Sequence, residues 1–312
     1  MKKFIGMIFL LLMIIKIPVL AQKYSNYNFD FITLQEINTR IENVKVTGSL
    51  PHIDKFKSKT FENQLNQKIN LIYEKKIAEA ISKNVKSLKI NYKVKAEKNI
   101  ISILLNFLGD KNDLETINFN LKTCSFVSIS DIIGPNGTQI VNKIIHDETI
   151  KTPEKYNLNF NGIDNDHNFF VDGDNLVVPF NEYELSSAIK GIQTFTIKIS
   201  GVKNKIINAK NYYTTKPYGL KMIPLRNVCE AFDFEVVWHE PSASVKIVND
   251  KLTATALVNR NNYMKNNEAP QTLESAPQIK NNQTYVPISF FVKYANLFYS
   301  ISDDNNLIFS QY

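Results

Sequence analysis

The stretch Leu88-Lys89-Ile90-Asn91-Tyr92-Lys93-Val94-Lys95-Ala96 places an apolar residue at every second position, with Lys or Asn between. A period of two belongs to an extended strand with one face buried. Upstream the period changes. Between residues 54 and 84 the apolar positions are Phe61, Leu65, Ile69, Ile72, Tyr73, Ile77, Ala80 and Ile81. Steps of three and four make these one stripe on a long amphipathic helix, with Lys, Glu and Asn on the other face. Downstream the period of two returns at Ile101, Ile103, Leu105 and Phe107, and again at Ile117, Phe119 and Leu121. Gly109-Asp110-Lys111-Asn112-Asp113 supplies a turn between these runs. A helix followed at once by alternating strands predicts a lid over an antiparallel meander that keeps one face wet.

Working outward, residues 44–50 read as a strand running into Pro51. Beyond Ser130-Asp131, a short helical turn and the break Gly134-Pro135-Asn136-Gly137 lead to a second helix over 138–147. Thr138 is its expected N-cap, and Ile140, Val141, Ile144 and Ile145 its buried stripe. Asp172-Gly173-Asp174-Asn175 between the runs 169–171 and 176–180 is a hairpin signal. Residues 183–188 read as a short helix stopped by Gly191, and Phe195, Ile197 and Ile199 as a closing strand. The fold class is α+β, in two domains, each with helices packed on a mainly antiparallel sheet. The boundaries expected are a signal peptide over 1–21, a first domain over 22–205, a linker over 206–216 and a second domain over 217–312.

The second domain contains a self-similarity at an offset of 63 residues. Ile223-Pro224-Leu225 recurs as Val286-Pro287-Ile288, and Val228, Phe234 and Val236 meet Phe291, Leu297 and Tyr299. Trp238 falls on Ile301. Each copy reads as a strand, a proline at the first helical turn, a helix of about ten residues and an alternating strand. Between the copies, residues 245–248 and 252–257 are strand-like, and Asn281-Asn282 reads as a hairpin turn. A fragment covering about 212–312 is expected to fold alone, because both helices and the strands between them lie inside it.

Composition excludes several classes. With 44% hydrophobic residues, 20 Phe and 14 Tyr against 10 Gly, the 312-residue chain has the apolar area to offset ordering entropy and is neither disordered nor collagen-like. Four His and two Cys leave little for a multi-metal site and nothing for a disulfide-dense scaffold. Two lysines, an apolar run over 4–15, Pro18 and Val19-Leu20-Ala21 have the order of a secretory signal, cut between Ala21 and Gln22. The alternative, an uncleaved anchor, meets a run that ends at Lys16, short of the roughly 20 residues that span a bilayer. No cysteine follows the cut to take a lipid. Loss of Lys2, Lys3 and Lys16 reduces the formal charge from +7 to +4, a weak field for nucleic acid, and no aromatic ladder interleaves the lysines. An exported chain with this balance meets cell-wall polymers instead, with no stable membrane span after cleavage.

Two resemblances follow from these residues. The segments 117–123, 127–133, 169–185 and 188–191 resemble the extracellular domain shared by the anti-sigma factor RsiV and the non-catalytic half of the peptidoglycan deacetylase PdaC. Residues 44–107 look like that family's usual N-terminal partner segment. The resemblance implies an extracellular setting and, since RsiV binds lysozyme through this region, a protein partner of that kind. RsiV places a cytoplasmic segment and a transmembrane helix before the domain, where this chain is expected to have only a signal peptide. The C-terminal repeat, with Ile223-Pro224-Leu225-Arg226, a strand ending in Trp238, and Ala276-Pro277-Gln278-Ile279 leading to Tyr285-Val286-Pro287, resembles the copper amine oxidase N-terminal-like domain of secreted bacterial proteins. Ser289 replaces the arginine in the second copy. The name implies no oxidase chemistry here. The cofactor precursor needs Asn-Tyr followed by an acid, whereas Tyr213 follows Asn211-Tyr212 and Met264 follows Asn262-Tyr263; the copper ligands need a His-x-His pair that the sequence lacks.

Candidate chemistry is sparse. Asp164-Asn165-Asp166-His167-Asn168 alternates oxygen ligands as a calcium loop does, but position 6 is Phe169 instead of Gly and position 12 is Asn175 instead of Glu. It reads as a solvated loop. His146-Asp147 could be half of a metal-dependent phosphohydrolase signature whose partners are missing, and reads as an exposed helix end. Cys124 and Cys229 read as buried free thiols, with a pairing across the linker left open. Trp238 could be a sugar platform, but its place beside a core helix suggests a structural role. The expectation is an exported, non-enzymatic envelope protein with no catalytic residues, no metal and no cofactor. Its partner is expected to be a cell-wall glycan or an extracellular protein such as lysozyme. The alternative is a peptidoglycan hydrolase or deacetylase-related enzyme acting through Asp164, Asp166 and His167.

Overall fold

The computed structural model describes residues 29–156, 161–186, 189–216, 218–266 and 268–312. The expected signal segment and its cleavage point at Ala21 and Gln22 lie outside these residues. The chain forms two compact units, and both are α+β. The first contains residues up to 127, 152–160 and 166–196; the second contains 128–151, 161–165 and 197–312.

In the first unit, β1 (Ile32–Ile41) pairs antiparallel with β2 (Val44–Ile53), and α1 (Lys59–Ser82) carries the chain to β3 (Ser87–Glu97), which pairs parallel with β2. β4 (Ile100–Leu108), β5 (Asn112–Asn120) and the short β6 (Ser125–Phe126) complete the sheet in the order β1-β2-β3-β4-β5-β6. α1 begins at Ser58, whose hydroxyl accepts from the Phe61 amide. Its predicted stripe is the buried one: Phe61, Leu65, Ile69, Tyr73, Ile77 and Ala80 join Ile90, Ile103, Leu105 and Phe119 of the sheet in one core. The sequence reading placed no strand before Val44. β1 lacks strict alternation, and its pairing partner supplies the signal that its own residues do not.

The meander keeps its wet face only in part: Lys89 and Lys93 of β3 are exposed, but β4 and β5 are covered. Ser102 and Leu104 of β4 are also buried, because β7 (Phe170–Asp172) and β8 (Asn175–Phe180) cover that side. Leu104 and Leu114 pack with Phe170 and Val177. Ser102 Oγ donates to Asn118 Oδ1 (2.6 Å), Asn118 Nδ2 donates to the Phe169 carbonyl (2.7 Å), and the Val171 amide donates to Ser102 Oγ. Burying these polar groups is tolerable because each finds a partner. The hairpin turns at Gly173, with φ +60°, and β9 (Gln193–Lys198) adds a third strand to β7 and β8. Residues 182–184 form a turn in place of the expected helix, with Tyr183 at φ 68°; residues 187–188 lie outside the description.

The second unit begins with α2 (Ile129–Ile133) and α3 (Gly137–Thr149). The sequence reading gave this segment to the first domain. The N-cap of α3 is Asn136, not Thr138, and its side chain does not cap the helix. Asn136 Nδ2 instead donates to the Ile308 carbonyl (2.9 Å) and to Ser310 Oγ (2.8 Å), and Asn204 Nδ2 donates to the Ile133 carbonyl. Asn136 and Ser310 are both fully buried. These bonds join α2 and α3 to strands far along the chain, a link no local pattern shows.

β10 (Lys203–Ile207) crosses the expected domain end at 205, and a 3-10 turn over 209–211 and β11 (Tyr213–Thr214) occupy the expected linker. β12 (Lys221–Pro224) leads into α4 (Leu225–Cys229), β13 (Glu235–His239), β14 (Ser244–Asn249), β15 (Leu252–Leu257) and β16 (Tyr263–Lys265). β17 (Gln278–Lys280), β18 (Gln283–Pro287), α5 (Ile288–Tyr294), β19 (Phe298–Ile301) and β20 (Leu307–Gln311) close the chain. Three sheets result, ordered β11-β12-β18-β17, β13-β14-β15-β16 and β10-β20-β19.

The 63-residue repeat is structural. Ile223 pairs antiparallel with Val286, its own equivalent, so the two copies meet strand to strand at the same position. β13 and β19 start at equivalent residues, as do β14 and β20, and Asp233 and Asn296 end the two helical segments in the same left-handed conformation. The helices are shorter than expected. Pro224 and Pro287 end their strands and stand at the N-cap, not inside the first turn. Asn281 and Asn282 (φ 49° and 56°) form the predicted two-residue turn, which needs both residues left-handed.

Candidate functional site

β13 is the edge strand of its sheet, and a half-exposed Trp238 stands on it. Val245 lies directly opposite on β14, and Val236 is two residues back, so all three side chains share one sheet face. They form one wall of a groove of roughly 390 Å³. The start of α4 contributes Leu225, Arg226 and Asn227, and the β17–β18 hairpin contributes Ile279, Asn282, Gln283 and Thr284. The hairpin reaches this position because β18 pairs with β12, which feeds α4.

The floor is apolar, and the rim carries amides and paired charges. Trp238 is 38% exposed, and its indole N–H donates to Glu240. That bond fixes the ring and leaves its face available. Arg226 Nη1 donates to Glu230 Oε1 at 2.7 Å, one helical turn along. Gln283 Oε1 accepts from the Tyr285 hydroxyl, which leaves its NH₂ for other acceptors. No described residue hydrogen-bonds the side-chain amides of Asn227 or Asn282. Trp238 therefore has an open face where a purely structural role was expected.

The other candidates do not assemble. Asp164 belongs to the second unit, Asp166 and His167 to the first, and both aspartates are exposed. The His167 ring lies 4.6 Å from the Phe180 ring, and its Nε2–H donates to the Pro179 carbonyl at 3.0 Å. That bond occupies one ring nitrogen and helps hold the loop against β8. Asn165 Oδ1 accepts from Thr138, the residue expected to cap α3. His146 is exposed near the end of α3. Among the described residues no three of His, Cys, Asp and Glu cluster as a metal site would require. Cys124 and Cys229 are free thiols. Cys229 is buried in the core of its unit, and burial, aided by Glu230, pushes its thiol up. Cys124 is only partly buried, at a left-handed position.

Residues 203–309 match the copper amine oxidase N-terminal domain, and residues 130–200 match a family described as a protein of unknown function, DUF3298. Both matches fall on the segments whose resemblances the sequence had indicated. The DUF3298 segment gives α2 and α3 to the second unit and most of β7–β9 to the first. Among particular proteins, a DUF3298 family crystal structure from Bacteroides fragilis NCTC 9343 is 16% identical, with a TM-score of 0.34 over 50% of this chain and 82% of that one. A DUF3298 family protein from Pseudomonas aeruginosa PAO1 is 11% identical, with a TM-score of 0.33 over 54% and 88%. No curated protein matches this chain.

Of the groove's polar and aromatic residues, the sequence singled out Trp238, Arg226 and the Asn281-Asn282 turn. It did not join them, because the turn is 44 residues from the tryptophan and reaches it only through the pairing of β12 with β18. Asn227, Gln283 and Thr284 carried no signal of their own.

Proposed function

We propose that this chain is an exported, non-enzymatic binding protein of the bacterial envelope, and that its ligand is a cell-wall glycan. The observation that carries the reading is the groove at Trp238. The charged residue of its lining, Arg226, is paired with Glu230, its floor is apolar, and unpaired amides stand at its rim. A site of that kind holds a neutral, hydroxyl-rich polymer through many weak contacts and offers no poised acid, base or nucleophile. The N-terminal signal pattern supports export, and the bound state of His167 supports a scaffolding role for the loop that the hydrolase reading would use. The test compares retention of the full chain by insoluble purified peptidoglycan and by immobilised lysozyme. Retention by the wall polymer is expected. Retention by lysozyme alone would replace a glycan ligand with a protein one.

A further inference from the structure

The two copies of the repeat differ at the positions that form the groove. Asn227 corresponds to Phe290, which is 1% exposed, stacks on Tyr294 and packs against Tyr263. Arg226 corresponds to Ser289, whose hydroxyl donates to Glu274. Trp238 corresponds to Ile301. Tyr263 and Glu274 both come from the segment joining the copies, so the chain covers with its own side chains, in copy two, the helix surface it leaves open in copy one. Burying Phe290 there follows from its chemistry, and exposing Asn227 in the first copy leaves an amide with both hydrogen-bonding functions unused.

Resting on the glycan reading, we propose that the Trp238 groove is a carbohydrate site with one place per chain, and that the ligand unit is a neutral pyranose with equatorial substituents. The argument is chemical. An all-equatorial pyranose presents axial C–H bonds on its faces, and these pack against an aromatic ring. Its hydroxyl or acetamido groups lie at the ring edge, where Asn227, Asn282 and Gln283, which line the same groove, offer donors and acceptors. Val236 and Val245, themselves buried, make the groove's floor beside the ring apolar. Arg226 is paired with Glu230, and the exposed Glu240 carboxylate that holds the indole N–H keeps its negative charge, so the lining offers no free cation that would select an anionic sugar. The asymmetry of the repeat sets the stoichiometry at one.

The chain's single tryptophan makes the site directly observable. The experiment titrates the full chain with N-acetylglucosamine tetramer, and in parallel with an uncharged extended hexapeptide, following tryptophan fluorescence and heat. The tetramer is expected to shift the emission saturably, with one site per chain, and the peptide is expected to leave it unchanged. Trp238→Ala should weaken the tetramer about tenfold by calorimetry, the scale of losing one aromatic contact. Asn227→Ala and Gln283→Ala, both exposed, should weaken it severalfold while leaving the unfolding midpoint in place, which separates binding from folding. Unchanged emission with the tetramer, equal affinity in these variants, or a shift with the peptide alone would overturn the site. If the wild type and Trp238→Ala are retained equally by insoluble peptidoglycan, the site is wrong and the glycan reading stands. Loss of retention by both would remove the glycan reading as well.

Discussion

Lys76 projects from α1 among carboxylates of β5, with Asp113 Oδ2 at 3.0 Å and Glu115 Oε1 at 2.8 Å. Lys111 holds the other oxygen of Asp113 at 2.8 Å. Burial alone would lower the Lys76 ammonium, but the hydrogen bonds and charges of Glu115 and Asp113 outweigh it and hold the group above its ordinary value. Burial would raise Asp113, and Lys111 and Lys76 together hold it below the usual carboxylate range. Stability from Asp113 is therefore present above the unfolded value near 3.8 and is lost as pH falls through the lower folded value. Stability from Lys76 is present below 10.5 and is lost only as alkali passes the raised folded value. Lys76→Met should cost about 3 kcal/mol at pH 7 by urea denaturation, because it leaves the partly buried Glu115 without a cation and the buried Asp113 with Lys111 alone. The deficit should shrink below about pH 4, where protonation relieves them; a deficit independent of pH would contradict this account. Sequence assigned Lys76 to the wet face of the helix. Its partners lie some 37 residues away on β5, and a helical pattern does not report them.

The element that organises the first unit is the parallel pair of β2 and β3 under α1. Gly48 sits in that pair opposite Ile90, at φ +119°, and a Cβ there would lie 1.8 Å from the Ile90 carbonyl oxygen. Gly48→Ala must move one strand or the other and also strain the backbone, so a loss of at least about 2 kcal/mol is expected in thermal or urea unfolding. Ser49→Ala on the same strand should cost less than about 1 kcal/mol. Equal effects would show that β2 tolerates the added atom. Elements with long or strict periods were legible beforehand: α1, β3 to β5, the Gly173 hairpin and the Asn281-Asn282 turn stand where the pattern placed them. Elements defined by a distant partner were not. β1 lacks strict alternation, the start of α3 (though not the helix itself) is set by an asparagine committed to β20, and β10 crosses the expected domain end because its register is set by the last strand of the chain.

At the scale of the molecule, the repeat was readable because symmetry repeats its residues, and the division into units was not, because it rests on Asn136, Asn204 and Ser310 meeting across more than a hundred positions. This bears on where the C-terminal module begins. β10 pairs with β20 along its whole length, and Ile207 is in the core. A fragment starting at Val202 should therefore be more stable than one starting at Tyr212 by about 2 kcal/mol, the worth of one buried aliphatic side chain. Equal unfolding midpoints for the two fragments would place β10 outside the module. The groove, by contrast, lies wholly within the second unit, on the copy whose helix surface the chain leaves uncovered. The central claim is that this chain holds a wall glycan without altering it. Its most direct test is sedimentation of the full chain with purified insoluble peptidoglycan, followed by assay of the supernatant for acetate and reducing sugar. The account predicts saturable depletion of the protein with no release of either product. Protein left in the supernatant, or release that is abolished by His167→Ala, would contradict it.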